Sequence, residues 1–214
     1  MATRYDAQGA EAEFEPGSRD RVLRNRLGIR LVREMARRES EALLAATQSV
    51  IDVTRVDQRF TADDIRRMHR TWLGEIFVWA GEYRQVNMAK DGFMFAAAEQ
   101  VPRLMRELEL GALREFTPCR TEDAEEQARA LSVVHAELIL VHPFRDGNGR
   151  CVRMLATLMG LQAGLPALDF GGVQGEKKRR YITAVHAAMD RVYEPMTGVF
   201  RGVIARTLRR QASA

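Results

Sequence analysis

Apolar residues recur at three- and four-residue intervals along most of this chain, and they alternate with polar ones in only one stretch. The first spacing is that of helices with one buried face; the second is that of strands. From Asp20 to about Val50, Leu31, Val32, Met35, Leu43 and Leu44 mark one helical face. Thr61 followed by Asp64 has the spacing of a capping box, opening a helix through Ile65, Met68 and Trp72 that stops at Gly74. A short helix is predicted over Glu75–Trp79, ending near Gly81. Helices are predicted again from Ala98 to about Leu113, from Thr121 to Val141 and from about Arg150 to Ala163, the last closed by Gly164 with Pro166 beyond. Lys178–Met189 and Glu194–Leu208 complete the helical set. The exception is Arg84 to Ala97: Arg84-Gln85-Val86-Asn87-Met88 alternates, Lys90-Asp91-Gly92 signals a hairpin turn, and Phe93-Met94-Phe95 resumes as a second strand. The expectation is an all-α bundle with one small β-hairpin. Residues 1–19, small, polar and acidic, read as an irregular arm, 20–208 as the domain and 209–214 as a tail.

Composition changes this picture little. At 214 residues, 46% of them apolar, the chain is long enough for one domain with a real core. The sequence pI near 9.4 would suggest a nucleic-acid partner if its charge were clustered. Acids and arginines interleave instead, and the run Lys177 to Arg180 is too short for a phosphate-tracking patch, so direct nucleic-acid binding is not expected. No apolar run approaches the length of a membrane span, and the first fifteen residues lack the pattern of a secretory leader. Cys119 and Cys151 form no disulfide framework, so a reduced cytoplasmic setting is expected.

The candidate chemistry lies between the two most apolar helices. Residues 142–153 read His142-Pro143-Phe144-Arg145-Asp146-Gly147-Asn148-Gly149-Arg150-Cys151-Val152-Arg153. Gly147 and Gly149 allow backbone angles closed to other residues, so their N–H groups can converge on an anion. The helix behind them presents its positive N-terminus to the same place. Arg150 and Arg153, three residues apart, share a helix face and suit a polyphosphate. Asp146 is the natural ligand for a Mg²⁺ that bridges phosphates. His142, with an unperturbed pKa near 6.5, can take a proton from an attacking hydroxyl. His135, seven residues earlier, has no third ligand spaced to make a metal site with it. By its own chemistry the stretch reads as a Mg-nucleotide site with a base for phosphoryl or nucleotidyl transfer.

The same residues resemble the Fic-domain family, whose His-Pro-Phe-x-Asp-Gly-Asn-Gly-Arg-x-x-Arg motif is matched from His142 to Arg153 without a substitution. Phe14-x-Pro-Gly-Ser with Val22 to Ile29 is similar to the N-terminal segment of compact Fic proteins. Trp79-Ala-Gly-Glu-Tyr-Arg84 is similar to the lead-in to the family's flap hairpin, and Tyr181-Ile-Thr-Ala with Glu194-Pro195 to its C-terminal helices. The resemblance covers about residues 14–205. It implies a Fic-fold helical bundle that transfers AMP from ATP to a hydroxyl side chain of a target protein. Within it, His142 deprotonates the target hydroxyl and Asp146 holds Mg²⁺. Gly147, Asn148 and Gly149 receive the inner phosphates, Arg150 and Arg153 hold the outer ones, and Tyr181 lines the nucleoside pocket. Phe93, Met94 and Phe95 form the flap that clamps the target backbone.

Many relatives carry an inhibitory helix with Ser/Thr-x-x-x-Glu-Gly/Asn. Thr121 to Glu125 comes nearest here, but Glu126 follows. The resemblance is thus to the toxin-like subgroup whose inhibitory helix comes from a separate small antitoxin protein, and whose targets are type II topoisomerase subunits. Gly149 stands where phosphate-transferring Doc-like relatives have lysine. The alternatives are a Fic-fold transferase of phosphate, UMP or phosphocholine, or a non-catalytic nucleotide-binding module; a pure binder needs neither His142 nor Asp146.

Overall fold

Helix α1 spans Val32–Val53, so the long helix predicted from Asp20 begins well after it. The reason is local competition. The Asn25 side chain donates to the Ile29 carbonyl at 2.9 Å and accepts the N–H groups of Leu27 and Ile29. An amide side chain that occupies backbone groups in this way withdraws them from a helix ladder. Phe14 pairs with Leu23 as an isolated antiparallel bridge. The chain is known from a computed structural model that describes residue 11 and residues 13–90, 93–171 and 175–213. These described residues gather into two compact units that interleave along the sequence. One draws on 1–53, 62–105 and 141–151, the other on 54–61, 106–140 and 152–214.

In the first unit α1 packs on α2 (Ala62–Leu73). Ile65, Met68, His69, Trp72 and Leu73 fill the buried face of α2. The helix predicted over Glu75–Trp79 is a series of turns, because the Ile76 carbonyl accepts the Arg26 N–H at 2.8 Å instead of continuing a ladder. Residues 84–88 alternate between buried and exposed as predicted, yet they are not the paired strand. The hairpin is shorter and displaced: β1 (Ala89–Lys90) pairs antiparallel with β2 (Phe93–Met94), and the Phe95 N–H adds one bond to Met88. The predicted turn residues Asp91 and Gly92 lie outside the described residues. A 3₁₀ turn (Ala98–Gln100) leads into α3 (Val101–Leu108), a π-helical segment (Glu109–Leu113) and α4 (Arg114–Phe116) without interruption, the run counting with the second unit from residue 106.

The second unit holds most of α5 (Ala124–Val141) and of α6 (Asn148–Gln162), whose residues 141 and 148–151 count with the first. α5 starts three residues later than predicted because Asp123 is its cap, accepting the N–H groups of Glu125 and Glu126 at 2.9 Å. α6 stops as predicted. Gly164 adopts φ +76°, and the Leu165 and Gly164 N–H groups return to the Gly160 and Leu161 carbonyls. α7 (Glu176–Ala187) packs on α8 (Glu194–Ala212). α8 absorbs most of the expected 209–214 tail, since its ladder runs on to Ala212. The Ser132 and Thr197 hydroxyls meet at 2.9 Å, and Arg201 grips the Glu125 carboxylate with two bonds of 2.6 Å.

Candidate active site

Helix α5 ends at Val141 because the next two residues leave helical geometry. His142 adopts φ +50°, and Pro143 disfavours a helical residue before it. A left-handed non-glycine residue of this kind carries about 1–3 kcal/mol of strain and persists only where neighbours hold it. Arg84 is the main holder. Its buried guanidinium donates to the His142 carbonyl at 2.7 Å, to Val86 at 2.8 Å, to Ala96 at 2.5 Å and to Val141 at 3.4 Å, and its own N–H donates to the Pro143 carbonyl at 2.9 Å. One side chain thereby ties both ends of the hairpin segment to the backbone of the candidate base. Burial pushes Arg84 down to about 10, with Glu11 opposing the shift, so it stays charged at neutral pH. The buried imidazole of His142 lies face-on to the Phe95 ring, 3.7 Å between centroids. Phe93 meets Phe95 edge-on at 5.2 Å, whereas Met94 is exposed. Of the three predicted flap residues, one covers the candidate base and one faces outward.

The turn after His142 is closed by its own residues. Asn148 Oδ1 accepts the Phe144 N–H at 2.8 Å while Nδ2 donates to the Phe144 carbonyl at 2.7 Å. The Asn148 amide therefore serves the turn, and what it can offer an anion is its backbone N–H at the start of α6. Phe144 points inward, stacked on His69 at 3.9 Å; burying such a side chain contributes about 1.5–3 kcal/mol toward holding the loop. Gly147 has φ +79°, and a Cβ there would lie 2.6 Å from Trp72 Cζ3 and 3.3 Å from His69 Nε2. Glycine is required on both counts. Asp146 Oδ1 accepts the Gly147 N–H at 2.6 Å, and its side chain is about a fifth exposed. Among the described residues no cluster of three His, Cys, Asp or Glu side chains could hold a metal ion. A single part-exposed carboxylate suits Mg²⁺, which keeps waters and takes phosphate oxygens for most of its shell.

Three supporting residues escape a reading of the motif alone. Glu39 of α1 bonds Arg150 Nη1 at 2.6 Å, and the Arg150 guanidinium lies 4.4 Å over the Trp72 ring. Trp72 is held in turn by its Nε1–H donating to the Glu39 carbonyl at 2.9 Å. Arg150 is thus a strut between α1, α2 and the turn. His69 of α2 lies with Nε2 3.0 Å from the Asp146 carbonyl and accepts the Gly81 N–H on Nδ1 at 2.9 Å. Burial pushes its pKa down to about 4, so the ring is neutral.

The second unit holds the remaining predicted residues. Arg153 sits one turn beyond Arg150 along α6 and is exposed. The Tyr181 hydroxyl bonds His135 Nε2 at 2.9 Å, and burial pushes that phenol up to about 12. His135, depressed to about 3 first by burial and then by the charge of Arg153, is a neutral partner of Tyr181.

A helical protein that sets a strained histidine before a glycine turn at a helix N-terminus, beside a short hairpin, has the architecture of one known class. The family model described as Fic/DOC matches residues 59–159. The y4lH protein of Sinorhizobium fredii, named a probable protein adenylyltransferase, is 32% identical over 141 residues, covering 65% of this chain and 70% of its own. The chain belongs to the Fic/DOC family. The protein adenylyltransferase VbhT of Bartonella schoenbuchensis is 29% identical over 159 residues, 74% of this chain. This chain spans about a third of VbhT and about a quarter of two Caenorhabditis relatives named fic-1. Among solved structures, BepC of Bartonella tribocorum with bound AMPPNP superposes with TM-score 0.69 at 25% identity, covering 85% of this chain and 91% of its own. The N-terminal Fic domain of a Bartonella quintana effector with bound ADP gives 0.70 at 25% identity, covering 89% and 92%.

Proposed function

We propose that this chain is a protein adenylyltransferase that moves AMP from Mg·ATP to a hydroxyl side chain of a target protein. The observation that carries the reading is the complete motif built as a working turn: a restrained histidine, a left-handed glycine and a helix N-terminus succeed one another within seven residues. His142 takes the proton of the incoming hydroxyl as that oxygen bonds to the α-phosphorus and the bond to the bridging oxygen of pyrophosphate breaks. The N–H groups at the start of α6 receive the phosphates, and Arg153 orients the outermost one. Asp146 would hold the Mg²⁺, which neutralises charge on the departing pyrophosphate. Arg150, engaged by Glu39, supports the turn from behind. The Phe93–Phe95 flap positions the target backbone beside His142.

Glycine at 149 favours AMP over phosphate as the transferred group, because the backbone there can approach the phosphates closely. The toxin-like assignment has support from the sequence: no Ser/Thr-x-x-x-Glu-Gly/Asn segment occurs within these 214 residues. A small antitoxin would supply the inhibitory glutamate in trans. The cytoplasm is its proposed site of action: Cys119 and Cys151 are free thiols, and no helix among the described residues is long and apolar enough to cross a membrane.

The test is incubation of the full chain and its His142→Ala variant with α-labelled or γ-labelled ATP in a cell lysate, followed by intact-mass measurement of labelled proteins. AMP-sized adducts carrying the α label, absent with His142→Ala, are expected. Transfer of the γ label with a phosphate-sized increment, or equal labelling by the variant, would refute the assignment.

A further inference from the structure

His69 stands outside the motif, yet it is buried against it. Its two ring nitrogens have different partners, and those partners settle the tautomer. The Gly81 N–H can only donate, so Nδ1 is the acceptor. The proton of the neutral ring is therefore on Nε2, and Nε2–H donates to the Asp146 carbonyl. That carbonyl belongs to the same planar trans peptide as the Gly147 N–H, and the two dipoles point in opposite directions. Drawing the oxygen inward to His69 turns the N–H to the other side, where it meets Asp146 Oδ1 at 2.6 Å. The left-handed φ of +79° at Gly147 is the backbone state this peptide orientation demands, and the contacts a Cβ there would make, with Trp72 and His69 Nε2, are the walls that enclose it. Phe144 stacked on the imidazole blocks rotation of the ring.

We infer that His69 is a positioning residue that orients the Asp146 carboxylate through the Asp146–Gly147 peptide. The inference rests on the reading of Asp146 as the carboxylate for the nucleotide's divalent cation. Without the Nε2 donor the peptide loses its anchor and the carboxylate loses its defined direction, while the rest of the cradle stays in place.

Glutamine and asparagine separate the two nitrogens of histidine: Gln can place an N–H where Nε2 was, whereas Asn reaches only the Nδ1 position. The Gly147 amide resonance and the affinity for ATP, with Mg²⁺ and with EDTA, are measured for wild type, H69Q and H69N as full chains, with thermal melting as the folding control. H69N is expected to move the Gly147 amide and weaken Mg·ATP binding roughly tenfold, the size of one well-placed hydrogen bond, with metal-free ATP binding unchanged. H69Q is expected to restore the resonance and most of the affinity. Should H69N fail to fold, H69Q alone decides: a Gly147 amide near its wild-type position supports the inference, and a displaced one refutes it. Equal losses in folded H69Q and H69N, or losses that persist in EDTA, refute it too. A displaced Gly147 amide in H69N with Mg·ATP affinity intact in every variant would instead refute the role of Asp146 toward the metal.

Discussion

Arg84→Met keeps the apolar stem, removes the guanidinium and leaves its acceptors in place. Three carbonyls at 2.5–2.8 Å lose their donor, and a fourth at 3.4 Å loses a weaker contact. Each stranded buried acceptor costs about 1–3 kcal/mol. Part is recovered because Met spares the desolvation of a guanidinium that burial already disfavours. The net destabilisation is about 3–5 kcal/mol, the usual range for removing one side of a buried charged cluster. The functional effect has a separate origin. The His142 carbonyl is then free to relax from φ +50°, and a displacement of about 1 Å in a reacting group can reduce a rate about 10²-fold. Urea unfolding measures the first quantity, and the rate of AMP transfer at a temperature where both proteins are fully folded measures the second. Arg84→Lys, which can reach fewer of the carbonyls, should fall between. A folded Arg84→Met protein with wild-type transfer rate, or a stability loss below about 1 kcal/mol, would show that the carbonyl clamp does not hold the candidate base.

Gly147→Ala should destabilise the protein by about 2–5 kcal/mol, from a left-handed alanine (about 1–2) and a clash with an indole that two partners pin (about 1–3). Thermal melting and Mg·ATP titration check it, and wild-type values in both would remove the steric argument. Acid should weaken the fold well before carboxylates titrate. His69 and His135 are depressed to about 4 and about 3, so between pH 6.5 and 4 the unfolded chain binds more protons than the folded one. Their stabilisation is complete above pH 6.5 and falls with pH, by about 2 kcal/mol per histidine at pH 5. Urea midpoints at pH 7, 6 and 5 measure this; a flat profile would mean that the fold holds neither ring neutral, and half the slope that it holds only one.

Helices were legible where apolar spacing and a terminator agreed: α2 between Thr61 and Gly74, and α6 up to Gly164. Elsewhere the deciding bonds connect residues whose pattern does not advertise them. Asn25 diverts its neighbours from a helix, and the Arg26 N–H takes the carbonyl that a helix after Gly74 would need. At the site, the turn was legible because Gly147, Asn148 and Asp146 act through their own backbone and immediate neighbours. Its supports were not. His69 lies in the apolar stripe of Ile65, Met68 and Trp72 and reads as core, although its partners are motif and lead-in backbone. Glu39 left a usable signal. It is a carboxylate on the α1 face shared by Met35, Ala46 and Val50, where burial demands a cation.

The π segment at Glu109–Leu113 sets the helical phase of the residues beyond it. It amounts to one surplus residue in an otherwise α-helical run, and one residue of α-helix is about 100° of rotation. A π turn absorbs such a residue locally, so excising the exposed Gly111 would leave a shorter, more regular helix with the side chains on either side keeping their phase. Leu113, wholly enclosed, would stay in its core, and the Thr117 hydroxyl would keep the Phe60 N–H that it receives at 3.0 Å. Replacing Gly111 with alanine would disturb neither, since a Cβ there meets nothing within 4 Å. In this stretch a residue can be lost without moving the packing beyond it, whereas a residue added to the regular helix after Leu113 would turn everything that follows by about 100°.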